Sequence, residues 1–348
     1  MRLKSLCCII AALLMLLGAS ACLKHPSIQT NKAPNCDEYM SITTNYEVSH
    51  SETDNHSVYR VSVYVCDLQN AEISEVFNFP QNSGYALGVY DRKSNSVYYT
   101  KEKNNNTYER QRTGDQIYMY NMSTGSDTIL TEDLLAVNHI IPVDDAVFFV
   151  GARQSNADVL VLGKINLNDG IVKYWNESNT LSIETISIDR IKKRIYVAAY
   201  DSIERDIAVE LFNSNTSPHP VAFDNYIYSY NYDLGDRQDI ITKKDMRVFS
   251  AYARNSLLLY GAHDSTVLVS EASILSEVID VDCNDVLFQS DEYFSWRGGG
   301  FSQDLKGVYS AVNDYEFTGI EYFDFETRER KALISVDFGY LANMLLMY

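Results

Sequence analysis

The chain contains no Gly-x-Ser-x-Gly, no His-Glu-x-x-His and no P-loop. That removes the local signatures of α/β-hydrolase, zinc-hydrolase and nucleotide-phosphate chemistry. Its histidines, His25, His50, His56, His139, His219 and His263, are scattered. Only His263 adjoins a carboxylate, Asp264, and neighbours on a strand point to opposite faces, so the pair reads as structural. Clustered bases are lacking too: 29 basic against 47 acidic side chains give a formal charge of −18. Phosphate binding draws on clustered Lys and Arg, so no nucleic-acid partner is expected and bare anionic lipid is a poor one. Asp280-Val281-Asp282-Cys283-Asn284-Asp285 has the acid spacing of a calcium loop. Asp285 stands where the sixth-position glycine is needed, however, so a strand–turn–strand is expected there. No cofactor, metal or catalytic residue is expected, and no segment of the body reads as an amphipathic helix.

What is present begins with a short basic start (Arg2, Lys4), an apolar run from Leu6 to Leu17, and Gly18-Ala19-Ser20-Ala21-Cys22. A membrane span needs ~20 apolar residues, so residues 1–21 read as a secretory signal. Ala19-Ser20-Ala21 satisfies the small-x-small rule of ordinary cleavage, which would leave a secreted protein. A cysteine directly after small residues also resembles the lipobox of bacterial lipoproteins, which implies a lipid attached at Cys22 and a membrane-anchored body outside the cytoplasm. With Leu23 and not aspartate after it, resemblance to Gram-negative lipoproteins implies the outer membrane if the envelope is Gram-negative. Residues 22–38 are polar, carry Pro26 and Pro34, and read as a tether. Beyond Cys7, Cys8 and Cys22 there remain Cys36, Cys66 and Cys283, an odd number for an oxidising compartment. A Cys36–Cys66 pair and unpaired thiols are both open.

Residues 39–348 show period-two strands rich in Tyr, Val, Ile and Phe between Asn, Asp, Ser and Gly clusters, an all-β pattern. Ile117-Tyr118-Met119-Tyr120-Asn121 leads through Gly125 into Thr128-Ile129-Leu130, and Ile227-Tyr228-Ser229-Tyr230-Asn231 leads through Gly235 into Asp239-Ile240-Ile241. Each is an aromatic strand, a turn and a return strand. A second pattern supplies the other half of a unit: Asp91 to Tyr99 and Asp189 to Val197 both give Asp, five mostly polar residues, a β-branched residue and Tyr. Asp144 to Phe149 and Asn284 to Phe288 are read as shorter relatives, each ending an inner strand and starting a second. Outer turns near Asp67, Asn121, Asn166, Asn231 and Asp324 lie about 45 to 65 residues apart except for a last step of about 93, which suits four-stranded blades. That last step holds two blades if a degenerate hairpin lies around 265 to 280. Phe212-Asn213-Ser214-Asn215 is a rival turn, implying an extra strand in that blade or a misreading. The expected fold is a six-bladed β-propeller, with seven blades as the alternative, closed by the C-terminal strand of residues 337–348 pairing with the first blade.

With these elements the chain resembles the six-bladed, TolB-type propellers of bacterial envelopes over about residues 40 to 335. The resemblance implies an envelope binding or scaffold module with a protein or glycan partner. The rival expectation is an enzyme acting on a glycan, its carboxylates gathered at the central channel from several blades. Tyr293-Phe294-Ser295-Trp296-Arg297-Gly298-Gly299-Gly300-Phe301 is the most unusual stretch. Three glycines are not expected to support a strand, and the aromatics are too apolar for a linker. Trp and Arg dominate binding hot spots, so Tyr293, Trp296 and Arg297 are the expected ligand or partner residues, against a loop merely packed on the propeller.

Overall fold

The computed structural model describes residues 38–348 apart from 52–55, 69–71, 82, 104–113, 176–179, 215–219, 269–270, 315 and 337–338, together with the pair Gln29–Thr30. The expected signal segment 1–21, Cys22, Cys36 and most of the expected tether lie outside the described residues.

Six antiparallel sheets form the blades. From the axis outward, blade one is Tyr340–Met347, Tyr39–Ser51, His56–Asp67 and Glu72–Pro80; blade two is Gly88–Asp91, Ser96–Glu102, Asp115–Asn121 and Ser126–Ile129. Blade three is Leu134–Val143, Ala146–Arg153, Asn156–Asn166 and Val172–Tyr174; blade four is Leu181–Asp189, Arg194–Asp201, Asn225–Asn231 and Gln238–Lys243. Blade five is Met246–Arg254, Leu257–Asp264, Ile274–Asp280 and Asp285–Ser290. Blade six is Gly299–Phe301, Gly307–Asn313, Thr318–Asp324 and Arg330–Ser335, with Gln29–Thr30 pairing outside it. The C-terminal strand closes the ring as expected, running antiparallel to Tyr39–Ser51 from Tyr39 opposite Met347 to Asn45 opposite Tyr340.

Local chemistry explains why the two sequence patterns recur. Aspartate or asparagine at each strand end folds back onto the next amides: Asp189 Oδ1 accepts from Ile191 N and Lys192 N, both at 3.0 Å, and Asn121 Oδ1 from Ser123 N and Thr124 N, both at 3.0 Å. Such Asx turns reverse the chain without needing Gly at every corner. Gly125 takes the left-handed φ of +69°, but in the matching turn of blade four that region is filled by Leu234 and Asp236, not Gly235. The second strands of blades three and four are almost continuously buried, because each is covered on both faces by neighbouring blades.

Four expectations are corrected. A helix, Ser202–Asn213, stands between the second and third strands of blade four; it, and neither an extra strand nor a turn at Phe212, accounts for the long step. Its cap is Asp201, whose carboxylate accepts from Ile203 N and Glu204 N, and its apolar stripe Ile203, Ile207 and Leu211 faces solvent. A stripe that is not buried in the core gave no core-facing helix signal. The hairpin of blade five is not at 265 to 280 but at Asp280–Asp285, where Asn284 takes φ of 61°. Asn284 to Phe288 therefore opens an outermost strand, with Val286 and Leu287 exposed. The strand–turn–strand expected over the calcium-like spacing is what forms. Finally, Gly299–Phe301 is a strand, the innermost of blade six. The glycines are there because space is short: a Cβ on Gly299 would strike the Tyr252 ring, and one on Gly300 would come within 2.9 Å of Leu346.

Gly298, at φ of +128°, leaves no room for a Cβ beside the Met344 carbonyl of the closing strand. Gly298→Ala should cost about 2 to 4 kcal/mol in denaturant unfolding, from strain added to overpacking. Gly170, at φ of +72° in open space, should lose only about 1 kcal/mol as Gly170→Ala. Equal losses at the two positions would contradict the crowding argument.

Candidate functional site

The inner strands enter the propeller from one face, and there they surround a chamber of about 910 Å³. Every blade contributes: Tyr340 and Asn343 from blade one, Tyr85 and Leu87 ahead of blade two, Asn138 and His139 from blade three, Glu184 from blade four, Arg247 and Phe249 from blade five, and Tyr293, Trp296 and Arg297 ahead of blade six. Arg205 reaches it from the helix Ser202–Asn213. The volume lies within the range of small-molecule and peptide sites. Beyond the chamber the channel narrows to about 70 Å³ between the strands. At its far end Arg254 pairs with buried Glu38 and lies 4.1 Å from the Tyr348 ring.

The Tyr293–Phe301 loop is held by its backbone and by one ring. Phe294 is fully buried among Phe301, Val308 and Phe323. The Tyr252 hydroxyl donates to Ser295 O at 2.5 Å and Gly298 O at 3.2 Å, Ser295 N donates to Ser310 Oγ at 3.0 Å, and Met344 N donates to Arg297 O at 2.9 Å. With the backbone fixed, Tyr293, Trp296 and Arg297 turn into the chamber together. Tyr293 and Trp296 are each 45% exposed, and Tyr85 at 50% and Tyr340 at 43% join them, so four of the six exposed aromatic residues among the described residues line this one space. Phe249 stacks on Tyr293 with centroids 5.3 Å apart and on His263 at 5.9 Å. His263 therefore belongs to the chamber wall, while the Asp264 carboxylate turns away to Thr266.

Charge is distributed unevenly. Arg247 is paired with Glu184 at 2.5 Å and Arg205 with Asp206 at 3.2 Å. Arg297 lies 4.1 Å from the Trp296 ring and 4.2 Å from that of Tyr340, and among the described residues it has no carboxylate partner. Partial burial lowers its pKa, and the π faces replace some of the lost solvation. His139 keeps a partly open edge, yet loss of solvent lowers its pKa to about 4, against a backbone hydrogen bond with Glu184 that acts in the opposite sense. It is therefore neutral near pH 7. Glu184 is the single carboxylate among the chamber's lining residues, and it is held by Arg247.

Sequence reasoning reached Tyr293, Trp296 and Arg297 and the structure brings all three to the chamber; Cys22 lies outside the described residues. It missed Glu184, Arg247, Phe249 and Tyr340. The signal available was positional: counting back from Asp189 or Arg254 along an inner strand arrives at the chamber mouth.

No protein-family model matches the chain, and no curated protein matches it in sequence. Solved structures share its shape. TolB from Acinetobacter baumannii superposes with a TM-score of 0.57 at 11% identity, over 89% of this chain and 66% of that one. A chain of a nidogen/laminin complex gives 0.54 at 10% identity over 89% and 98%. A prolyl endopeptidase gives 0.52 at 12% identity over 85% of this chain but only 43% of its own. At such identities the likeness establishes the propeller fold.

Two outcomes follow from the geometry. Trp296→Ala should change unfolding free energy by about 1 kcal/mol or less, because the ring is half exposed, whereas Phe294→Ala, two residues away, should cost ~3 to 5 kcal/mol. A large loss for Trp296→Ala would make that ring a packing element. His139 ionises at a lower pH folded than unfolded, so the stability it contributes is complete above about pH 6.5 and is lost as pH falls through about 4. Comparing denaturant unfolding at pH 7 and 4.5, His139→Gln should lose less stability on acidification than the parent chain, by on the order of 2 kcal/mol. An identical loss in both would overturn the neutral-histidine assignment.

Proposed function

We propose that this chain is a membrane-anchored lipoprotein of the bacterial envelope, attached through a lipid on Cys22, whose propeller serves as a binding or scaffold module for an envelope protein or glycan. The signal-like start 1–21, the lipobox-like residues before Cys22 and the polar tether 22–38 support the anchor, and plain secretion is the alternative they leave. The observation that carries the binding reading is the chamber mouth itself, where Tyr85, Tyr293, Trp296 and Tyr340 are exposed around Arg297 on a backbone fixed by hydrogen bonds. Exposed aromatics and arginine on a rigid frame are the composition of binding hot spots. The likeness in shape to TolB and to a chain of a nidogen/laminin complex supports a module of this kind.

Glycoside hydrolysis, the rival reading, uses two carboxyl groups ~5 to 9.5 Å apart. Among the described residues the chamber lining supplies one carboxylate, Glu184, already bound to Arg247, which favours the binding reading.

The test uses the mature chain purified from the envelope. Its N-terminal peptide should carry a lipid at Cys22 by mass spectrometry, and immobilised wild-type chain should capture envelope components that Trp296→Ala binds more weakly by ~2 kcal/mol or more. An unmodified N-terminus removes the anchor; capture indifferent to Trp296→Ala removes the chamber as the site.

A further inference from the structure

We infer that the chamber receives a short, mostly apolar peptide segment of a partner protein that places one carboxylate on Arg297. This rests on the binding reading above and specifies its ligand. Among the described residues Arg297 is the chamber's one arginine with no carboxylate beside it, since Arg247 is met by Glu184 and Arg205 by Asp206. Its charge faces aromatic rings, and among the described residues no acceptor meets its planar fork of N–H donors. That fork matches a carboxylate in two parallel hydrogen bonds, and a partly desolvated arginine gains most from such a pair.

Two observations select a peptide over an acidic glycan. The chain as a whole carries −18, so a polyanion with charge on every unit is repelled over the whole approach, while a segment with one carboxylate meets attraction only at contact. The helix that brings Arg205 to the mouth also turns Ala208, Val209 and Phe212 into an adjoining side pocket of about 300 Å³. That pocket is closed by Val221, Val267 and Leu268 and shares Glu184, Tyr200, Arg205 and Arg247 with the chamber. A peptide's apolar side chains would fill that side pocket; an oligosaccharide would not.

A random dodecapeptide library displayed on phage, panned on the immobilised full chain, tests this. Recovered sequences should pair a single Asp or Glu with aromatic or aliphatic residues, and Arg297→Gln should lower their affinity about tenfold or more with its melting temperature unchanged. Replacing the acid in a recovered peptide by its amide should remove the difference between wild type and Arg297→Gln. Peptides without acid enrichment that still need Trp296 would keep the chamber as the site and overturn the carboxylate. Peptides indifferent to both Trp296→Ala and Arg297→Gln would overturn both readings. Failure to enrich any peptide, with oligogalacturonate instead quenching Trp296 fluorescence, would give the site to acidic glycans and end this proposal, as would failure of both probes.

Discussion

Everything in this molecule depends on the pairing of the last strand, Tyr340–Met347, with Tyr39–Ser51. Without it blade one has no inner strand, and two sheet edges face the gap. The closing strand is fastened on both sides: Asn313 of blade six donates from Nδ2 to Leu341 O at 2.7 Å and accepts from Leu341 N at 3.1 Å. Leu341, Met344, Leu346 and Met347 are buried, each contributing ~1.5 to 3 kcal/mol of apolar burial at most. The same strand builds the site, because Tyr340 and Asn343 line the chamber and Met344 N holds the Arg297 carbonyl. Ring closure and site assembly are one event, so chains whose ends have not met have no complete chamber.

The crowding that closure imposes at the axis also explains why the site sits where it does. Six inner strands converge, and blade six meets that limit with an inner strand of only three residues, Gly299–Phe301. In the other blades the inner strand runs as far as ten residues. The residues that blade six does not commit to its inner strand, Ser295 to Gly298, instead cross the mouth as a pinned loop. The glycines that leave room for Tyr252 and Leu346 on the inside thus release Trp296 and Arg297 to the outside.

The blade pattern was legible because its corners are chemical: Asp189, Asn121, Asn231 and Asp324 cap the following amides, and a capping side chain leaves a residue type at a fixed offset. Blade count and closure followed from those offsets. What failed were segments where one signal stood for two structures. Asn284-Asp285 looks like an inner corner but begins an outermost strand, since an Asx-type turn serves both hairpins. The helix Ser202–Asn213 was illegible because Ile203, Ile207 and Leu211 point to solvent and Ala208 alone of its apolar residues is buried, so no core-facing periodicity set it apart. Glycine was read through its cost in a free strand, whereas at the axis the deciding factor is the atom a Cβ would meet. The site was half legible: Trp296 and Arg297 stood out by composition, but Glu184, Arg247 and Tyr340 are brought together only by closure of the ring.

Whether an exposed aromatic loop binds or merely packs turns on where its order comes from. A loop ordered by its own exposed side chains would lose that order when they were removed, and would be restructured on binding. Here order comes from below: Phe294 fills the core with Phe323, and Tyr252 holds two of the loop's carbonyls from the neighbouring blade. Tyr293 is further steadied by its stack on Phe249, and Arg330 donates to its carbonyl at 2.9 Å. The rings at the mouth therefore have little conformational freedom left to lose when a ligand arrives, at ~0.5 to 1.5 kcal/mol for each side chain that would otherwise be immobilised. Trp296 is not part of that support: its ring is half exposed and meets the Arg297 guanidinium at 4.1 Å. An exposed tryptophan carried on a frame ordered without it is what the proposed binding role of the chamber mouth requires.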